Sequence, residues 1–250
     1  MIFKQLFDIG SSTLSYIIGC PETRECVLVD PVLERAHEDL DAIRALDLRL
    51  VFSLETHIHA DHLTAALKLK HIADSRIAAP EMDALPCADV GVSEEMPLKV
   101  GKLVIRPVHT PGHTDTHHAY LIDGPKPACV FTGDALLIGG CGRTDFQGGD
   151  PATLFRSVRE KLFSLPDDTL VYPGHDYNDR RVSSIGQEKT GNSRLSLDKS
   201  LNEFLAMMND LKLPLPKKMS FAVPGNQLCG QCPPDVPPDL RGPCDLHDQG

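Results

Sequence analysis

The fold class is decided by the stretch Thr56-His57-Ile58-His59-Ala60-Asp61-His62. It places three imidazoles and one carboxylate within six residues, and both groups are ligands for zinc, iron or manganese. The apolar run Leu50-Val51-Phe52-Ser53-Leu54 comes just before it and predicts a buried strand. Polar chemistry at the end of a buried strand is typical of a functional site, so the stretch predicts a metal site.

Ligand-type side chains also follow three later strands of the predicted order. The segment Leu98 to Val108 leads to His113, the strand Ala128 to Thr132 leads to Asp134, and the strand Thr169 to Tyr172 leads to His175. Together with the first stretch, these make seven candidate ligands at strand ends. The set is His57, His59, Asp61, His62, His113, Asp134 and His175. We therefore expect them to act in a shared site rather than as unrelated polar turns.

The order of predicted elements indicates an α/β protein. Strands alternate with helices in both halves of the chain, and Asp150-Pro151 has the form of a helix start. Two β-rich halves, each covered by helices, predict a four-layer αββα sandwich. We expect one catalytic domain over residues 1–230, followed by a proline-rich, disordered tail over residues 231–250.

Composition narrows the class of partner. The formal net charge of −10 and the absence of a basic stripe disfavour nucleic acid and anionic membrane surfaces. No apolar run approaches the roughly 18 residues of a membrane span, and no targeting segment is evident, so we expect a cytoplasmic protein. The eight cysteines are dispersed along a long chain and are expected to be reduced.

The motifs Thr-His-x-His-x-Asp-His, Pro-Gly-His, Thr-Gly-Asp and Pro-Gly-His resemble those of the metallo-β-lactamase superfamily. The resemblance implies the sandwich fold, but it leaves the reaction open. In a hydrolase similar to glyoxalase II, one metal would be held by His57, His59 and His113. A second metal would be held by Asp61, His62 and His175, and Asp134 would bridge the two. Such a zinc pair would generate a hydroxide that attacks a thioester.

Three further segments resemble the persulfide dioxygenase family, the group that includes the ethylmalonic encephalopathy protein. They are Gly133 to Phe146, Tyr172 to Tyr177, and Phe221 to Asn226 together with Cys229-Gly230. This resemblance implies a single non-haem Fe(II) per chain, held by His57, His113 and Asp134. His59, Asp61, His62 and His175 would surround and orient those ligands.

The implied reaction consumes glutathione persulfide, O2 and water, and yields sulfite and glutathione. Two imidazoles and one carboxylate leave open positions on ferrous iron for oxygen and substrate. The resemblance also implies a homodimer. Because no rhodanese-like domain is evident, we expect a separate rhodanese-type sulfurtransferase to act upstream, within sulfide oxidation and detoxification.

Two residues are candidates for contact with the substrate. Arg143 has a planar fork suited to a carboxylate of glutathione, although a structural ion pair with Asp145 or Asp176 is an equal alternative. Tyr177 is expected either to hydrogen-bond the substrate or only to form the wall of the pocket. Little function is expected of Cys229-x-x-Cys232, which lacks a second pair, and a surface or strand role is expected of His117.

Overall fold

The computed structural model describes residues 1–124, 126–234 and 236. The chain divides into two compact units. The first unit contains Met1–Val92, Lys99–Leu103 and the residues from Pro214 onward, and the second contains Ser93–Leu98 and Val104–Leu213. Most of the predicted tail, residues 235 and 237–250, lies outside the described residues. The prediction of one catalytic domain over residues 1–230 stays a prediction.

The first sheet has six strands in the order β1-β2-β3-β4-β5-β6. Its strands are β1 Ile2–Phe7, β2 Leu14–Gly19, β3 Glu25–Val29, β4 Arg49–Leu54, β5 Arg76–Pro80 and β6 Val90–Val92. The first three strands pair antiparallel, and β3 to β6 pair parallel. Parallel neighbours need a crossover, and α1 (Ala36–Ala45) and α2 (Ala66–Ala73) supply two of them. The carboxyl end of β4, a strand paired on both sides, is thereby fixed in place.

The core of the first unit follows from the amphipathic pattern of these helices. α1 turns Ala36, Leu40 and Ile43 inward, where they join Leu28 and Leu50 of the sheet in one apolar cluster. The first unit also contains α6 (Met219–Asn226), which follows the helices of the second unit in chain order. This helix was not predicted, because Pro224 stands inside it. Burial of apolar side chains outweighs the missing backbone hydrogen bond at that proline.

The second sheet also has six strands, in the order β12-β11-β10-β9-β8-β7. Its strands are β7 Leu98–Val100, β8 Leu103–His109, β9 His118–Ile122, β10 Cys129–Gly133, β11 Leu170–Pro173 and β12 Ser183–Ser184. β10 and β11 pair parallel, whereas β8 with β9, β9 with β10 and β11 with β12 pair antiparallel. The ends of β10 and β11 therefore lie side by side, which is what brings Asp134 and His175 together.

Three helices belong to the second unit, and their starts show how capping sets a boundary. They are α3 Pro151–Arg156, which continues as a π-helical segment over Ser157–Leu162, α4 Ile185–Gly191 and α5 Leu201–Asn209. The predicted start at Asp150 is confirmed, because its side chain accepts a hydrogen bond from the Thr153 amide. α5 begins at Leu201, because Ser200 and Glu203 form a capping box there.

The expectation of eight reduced cysteines is wrong. Cys87 and Cys229 form a disulfide with a Cα–Cα distance of 6.1 Å, and Cys232 is also disulfide-bonded. Cys87 and Cys229 are 142 residues apart in the sequence, and the fold brings them together beside Ala66 and Ile77. Cys229 thus pairs with a distant partner rather than with Cys232.

Candidate metal centre

In the first unit, a buried carboxylate organises the residues that follow β4. Asp30 stands just after β3 with a left-handed φ of 48°, and its two oxygens accept from the Thr56 amide (2.7 Å) and the Thr56 hydroxyl (2.9 Å). Having donated its proton to Asp30, the Thr56 hydroxyl oxygen accepts from Nδ1 of His57 at 2.9 Å. The His57 tautomer is thereby set, and Nε2 is the ring atom with a lone pair for a metal.

His59 is buried next to two carboxylates. Its Nε2 lies 3.2 Å from Oδ1 of Asp30 and 3.5 Å from Oε2 of Glu55. Burial by itself lowers the pKa of His59, but the charges of Asp30 and Glu55 raise that pKa well above its usual value. Both ring nitrogens are buried, and neither makes a hydrogen bond with any residue that the structure describes. Charge attraction, rather than oriented hydrogen bonds, therefore holds the ring against the two carboxylates.

Asp61 and His62 complete the histidine-rich loop. Nδ1 of His62 lies 3.0 Å from Oδ2 of Asp61, whereas the buried Nε2 of His62 makes no hydrogen bond within the described ranges of the chain. Ligand atoms of His59, Asp61 and His62 all lie within 4.8 Å of one another. The loop therefore offers a second group of metal-binding atoms beside His57.

In the second unit, His113 and Asp134 face each other. Nε2 of His113 lies 3.6 Å from Oδ2 of Asp134, and both side chains are largely buried. The remaining polar atoms of the pair are engaged elsewhere: Nδ1 of His113 donates to the Arg143 carbonyl (2.7 Å), and Oδ1 of Asp134 accepts from Nδ1 of His175 (2.7 Å). One imidazole nitrogen and one carboxylate oxygen thus point at each other, as two ligands of one ion would.

His117, for which the sequence predicted only a surface or strand role, supports the backbone at Asp134. It is fully buried, and its Nε2 accepts a hydrogen bond of 3.1 Å from the backbone amide of Asp134. Its Nδ1 donates to the Thr110 hydroxyl at 2.8 Å. His117 therefore positions the backbone that carries the carboxylate. The available signal in the sequence was the position of His117 between His113 and the buried strand β9. That signal is weak, because the sequence does not show which groups hydrogen-bond to the histidine.

Two glycines allow the backbone to approach these ligands. A Cβ at Gly142 would lie 2.8 Å from Nδ1 of His113 and 2.5 Å from the Asp134 carbonyl oxygen. A Cβ at Gly174 would lie 2.7 Å from Oδ1 of Asp134. All three distances are too short for a Cβ atom, so the Pro-Gly-His and Gly-Cys-Gly-Arg segments need glycine at these positions.

The two predicted substrate residues lie in different settings. The Arg143 guanidinium forms a bidentate pair with Asp145 (2.6 and 2.7 Å) and lies over the Phe146 ring, 4.9 Å from its centroid. The hydrogen bond to Asp145 raises the pKa of Arg143. Tyr177 is exposed, with its ring stacked on His175 at 5.9 Å. Of the two ion pairs that the sequence left open, the one with Asp145 forms, and both substrate roles stay predictions.

The fold and the ligand-type residues define the class of protein. The two mixed sheets flanked by helices are those of the metallo-β-lactamase fold. A family model described as "Metallo-beta-lactamase superfamily" matches residues 9–175. The match covers more than half of the chain and includes all seven predicted ligands.

Similar proteins narrow the class further. The chain is 41% identical to mouse "Persulfide dioxygenase ETHE1, mitochondrial" over 235 residues, covering 94% of this chain and 91% of the mouse protein. The crystal structure of ETHE1 from Myxococcus xanthus is 47% identical, with a TM-score of 0.88 and coverage of 92% of this chain and 100% of that chain. This protein belongs to the persulfide dioxygenase family of the metallo-β-lactamase superfamily.

A hydrolase is also similar, though over less of the chain. "Hydroxyacylglutathione hydrolase" from Polaromonas sp. is 38% identical over 175 residues, covering 65% of this chain and 62% of that protein. None of the helices in the described parts of the chain has the length and apolar character that a membrane span requires.

Proposed function

We propose that this protein is a glutathione-dependent persulfide dioxygenase. In the balanced reaction, glutathione persulfide, O2 and water give glutathione, sulfite and two protons. The terminal sulfur is oxidised and gains three oxygen atoms, while O2 is reduced. The proposal is supported most directly by the 41% and 47% identities to persulfide dioxygenases, which extend over more than nine-tenths of the chain.

We further propose that one Fe(II) is held by Nε2 of His57, Nε2 of His113 and Oδ2 of Asp134. The donor set fits, because two imidazoles and one carboxylate are the ligands of non-haem Fe(II) oxygenases. The 3.6 Å between His113 and Asp134 and the fixed tautomer of His57 support the assignment. When bound, the ferrous ion supplies the redox chemistry that brings O2 and the persulfide sulfur together.

The surrounding residues then have defined tasks. His175 holds Oδ1 of Asp134, so that only Oδ2 is directed to the metal. The Arg143 carbonyl and the Thr56 hydroxyl keep the protons of His113 and His57 on Nδ1. Burial of all three ligands excludes bulk water and strengthens these interactions. We place the glutathione moiety beside Arg143 and Tyr177, the substrate contacts expected from the sequence.

The test combines metal content with oxygen uptake. Protein purified without oxygen and loaded with Fe(II) should hold about one iron per chain, and each sulfite formed from glutathione persulfide should consume one O2. Asp134→Ala should lose both iron and turnover, whereas Asp168→Ala, at an exposed turn, should retain both. Two zinc ions per chain without persulfide-dependent oxygen uptake would overturn the proposal.

A second candidate function is a dinuclear zinc thioester hydrolase similar to glyoxalase II. The specific observation in its favour is the cluster of His59, Asp61 and His62, whose ligand atoms lie within 4.8 Å of one another. Hydrolysis of S-lactoylglutathione without oxygen, at a rate that rises as a second equivalent of zinc is bound, would support the hydrolase function. Absence of hydrolysis at any zinc loading would eliminate it.

We also propose a cytoplasmic location, a homodimer and a separate sulfurtransferase that supplies the persulfide. The dimer is tested by light scattering, and the location by fractionation of the source cells. The supply is tested by adding a rhodanese-type enzyme with thiosulfate and glutathione, which should start oxygen uptake without added persulfide.

A further inference from the structure

The last residue of α6, Asn226, contacts the histidine-rich loop from inside the first unit. Its side-chain amide nitrogen donates to the carbonyl oxygens of His59 (2.9 Å) and His62 (2.8 Å). Its side-chain oxygen accepts from the Thr64 amide at 2.9 Å. The residue is almost completely buried, so the three hydrogen bonds are made without competition from water.

The orientation of this carboxamide has only one reasonable solution. A flipped amide would set its NH2 group against the Thr64 amide and its oxygen against two carbonyl oxygens. The two acceptor carbonyls belong to His59 and His62, which flank Asp61. Asn226 therefore fixes the path of the backbone through the part of the loop that follows His57.

Several contacts hold Asn226 itself in place. The Cys229 amide donates to the Asn226 carbonyl (3.0 Å), and the Cys229 carbonyl accepts from the Leu67 amide of α2 (3.0 Å). The disulfide joins Cys229 to Cys87.

A Cβ at Gly230 would lie 2.0 Å from the Thr64 carbonyl oxygen, so the chain passes directly against the end of the loop. At the other end of α6, Phe221 packs with Leu33 and Leu63.

We propose that Asn226 is a positioning residue for the metal centre. Its carboxamide acts as a clamp on the loop between His57 and Thr64, and the disulfide and α6 hold the clamp rigid. The loop is then preorganised before a metal binds, which raises metal affinity because less conformational entropy is lost on binding. This inference rests on the proposed function for the identity of the metal, but the clamp itself concerns only the contacts described.

The test compares Asn226→Asp with Phe221→Leu. Asn226→Asp keeps the shape and the acceptor for Thr64 but replaces the two donors with an oxygen that repels the His59 and His62 carbonyls. Phe221→Leu loosens the packing of the same helix and leaves the carboxamide intact. Asn226→Ser, with one short hydroxyl donor, should give an intermediate effect. Each metal-free protein is titrated with Fe(II) without oxygen, and hydrogen exchange is measured across residues 55–65.

Asn226→Asp should raise the apparent Kd for Fe(II) about 10-fold to 100-fold, the range found for residues that orient metal ligands. It should also speed hydrogen exchange in the loop of the metal-free protein, while Phe221→Leu changes neither by more than about twofold. An unchanged Kd in Asn226→Asp, or an equal rise in Phe221→Leu, would overturn the inference. If wild-type protein binds no Fe(II), the proposed function fails instead. Unchanged exchange across the loop in Asn226→Asp would still refute the clamp.

Discussion

At the scale of single residues, the metal ligands depend on partners that do not bind metal. Each proposed histidine ligand has its Nδ1 proton directed to a fixed acceptor, the Thr56 hydroxyl for His57 and the Arg143 carbonyl for His113. The Thr56 hydroxyl is in turn held by Asp30, and the side chain of Arg143 is paired with Asp145. The tautomers that expose Nε2 are therefore established by the fold before any ion arrives.

Replacement of Thr56 by valine tests this control of the His57 tautomer. Thr56→Val keeps the volume but leaves Oδ2 of Asp30 and Nδ1 of His57 without their shared hydroxyl. The apparent Kd for Fe(II) should rise about 10-fold to 100-fold, as measured by anaerobic titration of the metal-free protein. Thr56→Ser restores the hydroxyl and should recover most of the affinity. Equal Fe(II) affinities of the valine and wild-type proteins would contradict control of the His57 tautomer by Asp30 and Thr56.

Two variants separate the proposed contact of Arg143 with the substrate from its ion pair with Asp145. Arg143→Lys should raise the KM for glutathione persulfide about tenfold with little change in kcat, because a point charge cannot replace a bidentate fork worth about 1.5 kcal/mol. Asp145→Asn breaks the ion pair but keeps the guanidinium, and it should raise KM less. If both variants lower the unfolding temperature equally and leave KM unchanged, Arg143 acts only through its pair with Asp145.

At the scale of elements, the parallel strands deliver the site and the helices supply the supports. β4 carries the histidine-rich loop, and the parallel neighbours β10 and β11 bring Asp134 and His175 together. α1 is an exception to simple amphipathic packing, because it buries a carboxylate. Asp39 is 1% exposed, and neither of its oxygens makes a hydrogen bond with the described residues.

Asp39 makes stability depend on pH. Burial raises the pKa of Asp39 to about 7, although Arg35, with its Nε 3.7 Å away, acts in the opposite direction. In the unfolded chain this carboxyl has an ordinary pKa near 3.8. Since the unfolded state ionises first, stability from this group is present below about pH 3.8 and is lost as pH rises through about 7.

Asp39→Asn should therefore stabilise the protein more at pH 8 than at pH 5. The asparagine resembles the protonated acid and does not titrate, so it avoids burial of a charge at high pH. The free energy of unfolding is measured in urea at both pH values for both proteins. An equal effect of the substitution at pH 5 and pH 8 would show that Asp39 keeps an ordinary pKa in the folded protein.

At the scale of the whole molecule, the two compact units differ in how continuous they are in the sequence. The second unit is almost continuous in sequence, whereas the first combines the first 92 residues with residues from Pro214 onward. The Cys87–Cys229 disulfide joins these distant parts of the first unit, 142 residues apart. It restricts the unfolded chain strongly, because the cost of closing a loop grows with its length.

Removal of this disulfide should cost stability. Cys87→Ser should lower the free energy of unfolding by about 2–4 kcal/mol under oxidising conditions. A reducing agent should destabilise the wild-type protein by more than it destabilises the variant, since the variant no longer has this bond to reduce. Thermal or urea unfolding with and without dithiothreitol measures both effects. Equal stabilities of the two oxidised proteins would mean that the bond adds nothing to the native state.

The predicted metal ligands illustrate which features of this protein follow from local sequence patterns. Side chains that bind metals stand next to one another in the sequence, as in His57 to His62, or directly after apolar strands, as with Asp134. These are local patterns, and local patterns also set the cap at Asp150 and the alternation of strands and helices. The superfamily followed from the same motifs, and the persulfide dioxygenase branch followed from the three further segments Gly133 to Phe146, Tyr172 to Tyr177 and Phe221 to Gly230.

The residues that support those ligands could be identified only in the folded protein. Asn226 reaches the His59 carbonyl across 167 positions, Cys87 meets Cys229 across 142, and His117 accepts from the Asp134 amide across 17. No periodicity or motif encodes such pairs, because they depend on how sheets and helices pack and on the direction of each side chain. Hydrogen bonds inside a protein are short and directional, so their partners are known only once the backbone is placed.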